Sequence, residues 1–301
     1  MDVLKEKNLV VIVGPTAIGK TGLSIKLAKK LNCEILSADS RQFYKEMAIG
    51  TAKPTFLEMD GVPHHFINHI SIQQNYSAGD FEREALQKLE ELFKSNDKAI
   101  LVGGSGLFIN AVCNGLDDIP GCPDIRNQLT KEFEANGLKP LQTELKSIDP
   151  NYYNEADLQN PRRIMRALEV YRTSGKPYSY FRNKAPKARP FKITWIGLNL
   201  ERHKVYENIN KRVDIMVDNG LIEEVKVLHE FKDISCLKTV GYQEFYQNPL
   251  DKEKAIELVK RNTRRFAKRQ ITFFKRNQNI KWFEPFQLEE ILAYCKSNNI
   301  S

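Results

Sequence analysis

The chain lacks the features that assign a protein to the membrane, the secretory route or the zinc-ribbon folds. None of its apolar runs approaches the ~20 residues of a bilayer span, so no membrane partner is expected. The opening, Met1-Asp2-Val3-Leu4-Lys5-Glu6-Lys7, has no apolar stretch of the secretory-signal kind. The five cysteines (Cys33, Cys113, Cys122, Cys236, Cys295) are odd in number and widely scattered. No C-x-x-C pair occurs, which speaks against a disulfide framework or zinc ribbon and fits a reducing cytoplasm. There is no internal repeat or low-complexity tract, and Lys260 to Arg276 contains no acidic residue. What remains is 301 residues, 41% hydrophobic and 28% charged, with a net charge of +8. That composition is globular, with room for one large core or two smaller ones.

The most informative stretch present is Gly14-Pro15-Thr16-Ala17-Ile18-Gly19-Lys20-Thr21. It follows the apolar run Leu9 to Val13 and leads into the helix-patterned Gly22 to Ala28. Strand, glycine-rich turn, Lys-Thr and helix is the order a P-loop requires. Its glycines let backbone N–H groups turn inward around phosphate oxygens, and the helix aims its partly positive N-terminus at the same anion. Lys20 adds a mobile charge, and the Thr21 hydroxyl can ligate Mg²⁺. The loop alone leaves open whether the phosphates belong to a nucleotide such as ATP.

Strand and helix signals alternate through the first third. Cys33 to Ser37 is β-patterned and ends at Ala38-Asp39-Ser40. Ser77, with Asp80 at the capping-box position, opens a helix of about four turns through Phe93. Ala99 to Val102 is a second apolar run, halted by Gly103-Gly104. Such runs alternating with helices predict a parallel sheet covered on both faces, with ligands at the C-terminal strand ends. The P-loop, Asp39-Ser40 and Gly103-Gly104-Ser105 should therefore converge on one site. From Asp117 to about Pro190 there are helix signals but no convincing strand. Pro123-Asp124 opens one helix, Leu141 continues a second, and a third runs from Asn160 (cap) and Pro161 to near Gly175. Asn183 to Pro190 reads as a linker, and Ile193 to Leu198 restores a strand. The expected fold is α/β: a P-loop parallel sheet flanked by helices in 1–116 and 190–301, with an inserted all-helical domain at 117–189. Long helices are expected at about 202–219, 220–230 and 252–276.

The positive charge is concentrated. Arg261, Arg265, Lys268 and Lys275 share one helical face, while Phe266, Gln270, Phe273 and Phe274 point away, towards an expected core. Arg162, Arg163 and Arg166 lie on the helix whose opposite stripe is Ile164, Leu168 and Tyr171. Two basic faces without interleaved carboxylates repel themselves, a cost better understood if a polyanion binds there; solvated surfaces are the plain alternative. Asp39 is a candidate general base or indirect Mg²⁺ ligand, or else the cap of a neighbouring turn. The Ala99 to Val102 strand has no acid at its end to serve as a Walker-B carboxylate, which weakens an ordinary ATPase reading. His64, His65 and His69 form H-H-x-x-x-H without the Glu of a zinc protease, so metal ligation is not expected there. Arg212 is either an exposed arginine or one that swings over the phosphates.

Taken together, these segments resemble the bacterial tRNA dimethylallyltransferase family over nearly the whole chain. The markers are Gly14 to Thr21, Asp39-Ser40-Arg41-Gln42-Phe43-Tyr44, Gly50-Thr51-Ala52-Lys53-Pro54, Gly103-Gly104-Ser105, Arg163 with Arg166-Ala167-Leu168-Glu169-Val170, Val240-Gly241-Tyr242 and Lys268-Arg269-Gln270-Ile271-Thr272. The resemblance implies transfer of a dimethylallyl group from its diphosphate to N6 of adenosine 37 in tRNA. By position it implies that Gly14, Pro15, Thr16, Ala17, Ile18, Gly19, Lys20 and Thr21 hold the diphosphate with Mg²⁺, and that Asp39, Ser105, Thr16 and Arg212 act in the transfer. It implies that the tRNA anticodon stem-loop meets Asp39, Ser40, Arg41, Gln42, Ser105, Arg126, Arg162, Arg163, Arg166, Lys238, Gly241, Tyr242, Gln243, Lys268, Arg269 and Lys275. Three positions depart from the pattern: Ser105 where many members have Thr, Arg162 where Gln is frequent, and Gln243 where Arg is frequent. The zinc-finger extension of eukaryotic relatives is missing, so a bacterial-type enzyme is expected, cytoplasmic and monomeric.

On that expectation the cradle, Lys20, Mg²⁺ and Arg212 absorb the leaving group's charge, and Asp39 takes a proton from an adenine extruded from its loop. Rival readings are an adenylate isopentenyltransferase, a P-loop small-molecule kinase and a non-catalytic RNA-binding nucleotide switch. The kinase needs no basic helical faces, the adenylate enzyme no inserted domain, and the switch no Asp39.

Overall fold

The computed structural model describes residues 6–182 and 185–300. Of the expected linker, Asn183 and Lys184 lie outside the described residues, as do Met1 to Lys5 of the opening segment. The chain divides into two compact units, Met1–Asn114 with Ala188–Ser301, and Gly115–Lys187.

The first unit is built on a six-stranded parallel sheet of order β3-β2-β4-β1-β5-β6. In chain order the strands are β1 (Asn8–Val13), β2 (Ile35–Ser37), β3 (His64–His65), β4 (Lys98–Gly103), β5 (Lys192–Leu198) and β6 (Lys281–Phe283). The first helices are α1 (Lys20–Leu31), α2 (Phe56–Met59), α3 (Ala78–Leu92) and α4 (Gly106–Asn114). Strand β1 lies between β4 and β5 and is buried along its whole length, which is why it reads as an unbroken Val/Ile/Leu run. Its odd-numbered Leu9, Val11 and Val13 pack with Phe81, Leu89 and Ile109 of α3 and α4 on one face. Its even-numbered Val10 and Ile12 pack with Leu23 and Leu27 of α1 on the other, the two-residue alternation of a strand. The Ser77–Asp80 capping box forms in both directions at the start of α3.

The second unit, Gly115–Lys187, contains α5 (Pro123–Asn136), α6 (Lys139–Ile148), α7 (Pro150–Glu155), α8 (Pro161–Ser174) and α9 (Tyr178–Phe181), with no strand among its described residues. Leu129, Leu141, Leu145, Ile164 and Leu168 form its core. Asn160 caps α8 by accepting from the Arg163 amide, Pro161 occupies the first position, and Gly175 ends the helix at φ 70°.

After β5 the first unit resumes with α10 (Arg202–Asp218), α11 (Leu221–Val227), α12 (Gln243–Gln247), α13 (Lys252–Phe274) and α14 (Leu288–Ser297). The helix expected through 230 stops at Val227 and is followed by a separate 3-10 turn, His229–Phe231. The edge strands β3 and β6 escape a reading of pattern because they are two and three residues long. Their strand state comes from pairing with β2 and β5. No helix among the described residues is long and apolar enough to cross a membrane.

Candidate active site

The turn between β1 and α1 is shaped by close packing. A side chain at Gly14 would meet the Leu198 carbonyl of β5 at 2.8 Å, and Gly19 enters α1 at φ 95°. Ala17 adopts φ 61°, a left-handed conformation uncommon outside glycine and held here by the surrounding loop. The Lys20 ammonium lies across its own loop, donating to the carbonyls of Gly14 (3.0 Å) and Pro15 (2.7 Å). Burial pulls the Lys20 pKa down to about 8, with the Asp39 carboxylate opposing that shift and the Arg212 guanidinium adding to it. From α10, Arg212 donates to the Thr16 hydroxyl (3.4 Å) and Asn208 to the Ala17 carbonyl (3.3 Å). From α13, Gln270 accepts from the Thr16 amide (2.9 Å) and donates to the Gly104 carbonyl (2.9 Å).

Asp39 stands just past the end of β2. Its carboxylate accepts from the Arg41 amide (3.1 Å), so it does cap its own turn. It also lines the cavity that Lys20, Thr21 and Arg212 line. The next residue is tied to the end of β4: the Ser40 amide donates to the Ser105 hydroxyl (3.0 Å), and the two hydroxyls are 3.0 Å apart. Gln42 reaches the carbonyls of Thr51 (3.3 Å) and Ala52 (3.2 Å), joining a second loop to the first. That second loop is anchored by Glu224 of α11, which accepts from the amides of Ala48 (3.1 Å), Ile49 (2.8 Å) and Gly50 (3.0 Å). Between these walls is a cavity of about 640 Å³. Its polar lining includes Thr16, Lys20, Asp39, Ser105 and Arg212, and its apolar lining Phe108, Val213, Met216, Phe266 and Phe273. One compartment thus joins the glycine-turn loop with its lysine, a carboxylate and aromatic rings. That is the equipment for moving an apolar group off a phosphate-type leaving group.

The family model described as IPP transferase matches residues 42–277. The chain belongs to the IPP transferase family. It is 52% identical to the tRNA dimethylallyltransferase of Christiangramia forsetii over 92% of this chain and 93% of that one. It is 48% identical to the tRNA dimethylallyltransferase of Flavobacterium johnsoniae over 97% of this chain and 98% of that one. Among solved structures, it is similar to the tRNA isopentenylpyrophosphate transferase of Bacillus halodurans, with a TM-score of 0.70 and 39% identity over 98% and 96% of the two chains. A eukaryotic dimethylallyltransferase acting on tRNA superposes with a TM-score of 0.80 at 26% identity, over 98% of this chain and 78% of that one.

In this IPP transferase family member the residues expected at the site divide into groups. Thr16 to Thr21, Asp39 to Gln42, Ser105, Arg212, Gly241 and Arg269 line the cavity, and Gly14 and Pro15 act through the carbonyls that hold Lys20. Lys238, Gln243, Lys268 and Lys275 lie outside its lining, and Arg126, Arg162, Arg163 and Arg166 belong to the Gly115–Lys187 unit. Tyr242 requires correction as a direct contact. Its side chain has no exposed surface, its hydroxyl donates to Glu224 (2.7 Å), and its ring fills the space a side chain at Gly50 would need. It is a support beneath the 48–51 loop.

The expectation of basic faces without carboxylates also fails in the helical unit. Glu169, 1% exposed, pairs with Arg126 (2.8 Å) and Arg166 (3.1 Å). Burial alone would raise the Glu169 carboxyl, but hydrogen bonds and charge from the two arginines outweigh it and hold the group below its usual range. In the C-terminal run, Lys260 is likewise paired, with Asp214 (2.7 Å) and Glu257 (3.3 Å). Phe266 and Phe273, expected in the core, are exposed residues that line the cavity, and Phe274 alone of the three aromatics is buried. Gln270, expected to point at the same core, instead bridges two site loops.

His65 and His69 each meet a carboxylate, Glu34 and Glu84, at 2.6 Å. Among the described residues no cluster of three or more His, Cys, Asp or Glu could hold a metal ion. Thr21 and Asp39 do supply hard oxygen donors on the cavity wall, enough for Mg²⁺, which takes one or two protein ligands beside phosphate and water. Glu224 and Asn208 are site residues that the sequence reading misses, and Gln270, which it places only within the Lys268 to Thr272 marker and towards a core, has its role at the Thr16 loop from the structure alone. The one available signal was a polar residue on the buried stripe of α13, since a buried amide requires partners.

Proposed function

We propose that the chain is a tRNA dimethylallyltransferase, moving a dimethylallyl group from dimethylallyl diphosphate to N6 of adenosine 37 beside the tRNA anticodon. The observation that carries this reading is the sharing of one cavity by Asp39, the loop Thr16 to Thr21 and Arg212. The bond from N6 to the allylic carbon forms as the carbon–oxygen bond to diphosphate breaks, and the diphosphate leaves with the electron pair. Lys20, the loop amides and Arg212 hold that departing charge. The exocyclic amine is a weak nucleophile because its lone pair is shared with the ring. A carboxylate hydrogen-bonded to its N–H increases its electron density, and Asp39 accepts the proton. Ser105, through Ser40, keeps Asp39's turn against the β4 end. When bound through Thr21 and the diphosphate, Mg²⁺ supplies further neutralisation of the leaving group.

Adenosine 37 must leave its stack to enter such a cavity, and Phe266 and Phe273 supply aromatic surface for it or for the allylic chain. We assign grip on the anticodon stem-loop to Arg162 and Arg163 of the helical unit and to Lys268, Arg269 and Lys275 of α13, with Lys238, Gly241 and Gln243 beside the cavity. Arg126 and Arg166 act there partly through their hold on Glu169. The protein works as a cytoplasmic monomer on this reading. The test is incubation with labelled dimethylallyl diphosphate and unmodified tRNA. Label in tRNA at adenosine 37 is the expected result. Label in free AMP, phosphate transfer from ATP, or nucleotide-dependent RNA binding without transfer would favour one of the rivals instead.

A further inference from the structure

Helix α13 buries Ala255, Val259, Ala267, Phe274 and a single amide, Gln270. That amide is 6% exposed and makes two hydrogen bonds of opposite sense. Its oxygen accepts from the Thr16 amide and its nitrogen donates to the Gly104 carbonyl, each at 2.9 Å. An N–H needs an oxygen and a carbonyl needs an NH₂, so one orientation of the side chain satisfies both and the reverse satisfies neither. The two partners stand beyond the ends of neighbouring strands, where Val13 of β1 is in register with Gly103 of β4. Gly104 keeps the space open: a side chain there would come within 2.2 Å of the Gln270 nitrogen. The amide hydrogen of Thr16 is engaged by Gln270, so Thr16 offers its hydroxyl, on which Arg212 also bears.

We propose that Gln270 is a positioning residue for the leaving group, although it stands on a helix whose outer face reads as RNA-binding. It pins Thr16 to the β4 end and so sets where the Thr16 hydroxyl and Arg212 meet the diphosphate. This rests on the prenyl-transfer reading for its substrate, but its effect on anion binding is separable from turnover.

The experiment uses the full chain and three substitutions: Gln270→Met, which keeps size and loses both hydrogen bonds, Gln270→Glu, and Thr16→Ala. Inorganic diphosphate binding is followed by calorimetry, tRNA affinity by filter binding, and transfer by steady-state kinetics. Gln270→Met is expected to lower kcat/KM for dimethylallyl diphosphate and the affinity for inorganic diphosphate by about ten-fold each, with tRNA affinity held within about two-fold. In the Thr16→Ala background the same change should cost less than about three-fold, because the hydroxyl being placed is gone. A loss in tRNA affinity with diphosphate affinity intact, or an undiminished loss in the Thr16→Ala background, overturns the proposal.

If Gln270→Met does not fold, Gln270→Glu decides the matter. A protonated Glu reproduces the acceptor and donor pair, whereas an ionised one opposes the Gly104 carbonyl. Its diphosphate affinity relative to wild type should rise as pH falls, and a flat ratio overturns the proposal. A wild-type chain that binds diphosphate but transfers nothing to tRNA would sink the functional reading and leave the brace testable by binding.

Discussion

Lys20 is held among three influences, and its state sets how the cradle behaves with pH. Its pKa is lowered to about 8 by burial, with Asp39 resisting and Arg212 assisting. A bound diphosphate returns the lost stabilisation of the charged form and raises that value. Binding therefore takes up a proton above pH 8: affinity is level below that value and falls as pH rises through it. The measurement is inorganic diphosphate affinity against pH, taken as a ratio to Lys20→Arg, whose guanidinium does not titrate in this range. The ratio cancels titration of the ligand, and a flat ratio would remove Lys20 from the anion site. At Asp39 the sharpest substitution is Asn. Asn keeps an acceptor for the Arg41 amide, so the turn is preserved, but it cannot take a proton. Asp39→Asn should lower kcat by about 10²–10⁴-fold with little change in thermal midpoint. A loss of stability equal to the loss of activity would make Asp39 only a cap.

At the scale of elements, the site is a meeting of strand ends braced by helices from far along the chain. The 48–51 loop illustrates the dependence. Its own pairing is a single 3-10 turn, Ile49–Thr51, and three of its amides end on the single carboxylate of Glu224, which also receives the Tyr242 hydroxyl. Glu224→Ala leaves those donors without a partner and should cost about 2–4 kcal/mol in urea unfolding. The same variant should raise KM for tRNA more than KM for dimethylallyl diphosphate, since the cradle keeps its own supports. The capping of α3 and α8 lies at the opposite extreme. Ser77 with Asp80, and Asn160 with the Arg163 amide, are contacts within three residues, and for that reason the starts of both helices could be read directly from the chain.

Over the whole molecule, the excess of +8 is unevenly spent, because one residue in each of the two basic clusters is already paired with carboxylates. Arg166 answers to Glu169 and Lys260 to Asp214, whereas Arg162, Arg163, Arg265 and Lys268 are exposed. The logarithm of tRNA affinity should fall linearly with the logarithm of salt. Arg162→Ala with Arg163→Ala should flatten that slope by about 1–2, as expected for loss of two phosphate contacts. Arg166→Ala should alter stability of the helical unit more than the slope. A double variant with an unchanged slope would clear that face of any role in RNA binding.

The architecture was legible because its signals are local. An unbroken apolar run next to a glycine turn and Lys-Thr can be recognised within twenty residues, and the buried strand it implies is β1, centred between β4 and β5. The short edge strands were not legible, since two or three residues carry no period and their neighbours define them. Site chemistry divides in the same way. Lys20, Thr21 and Asp39 announce themselves by position at strand ends. Gln270 meets Thr16 across 254 residues of chain, and Glu224 reaches Gly50 across 174, so although the apolar stripe marks Gln270 as buried, nothing local names the partner of either. By itself the sequence determined which segments turn and coil and which loop has the form of an anion site, because those properties depend on neighbours along the chain. The tertiary structure alone decided which side chains hold the binding loops in place, because a hydrogen bond depends on distance in space and takes no account of separation in sequence.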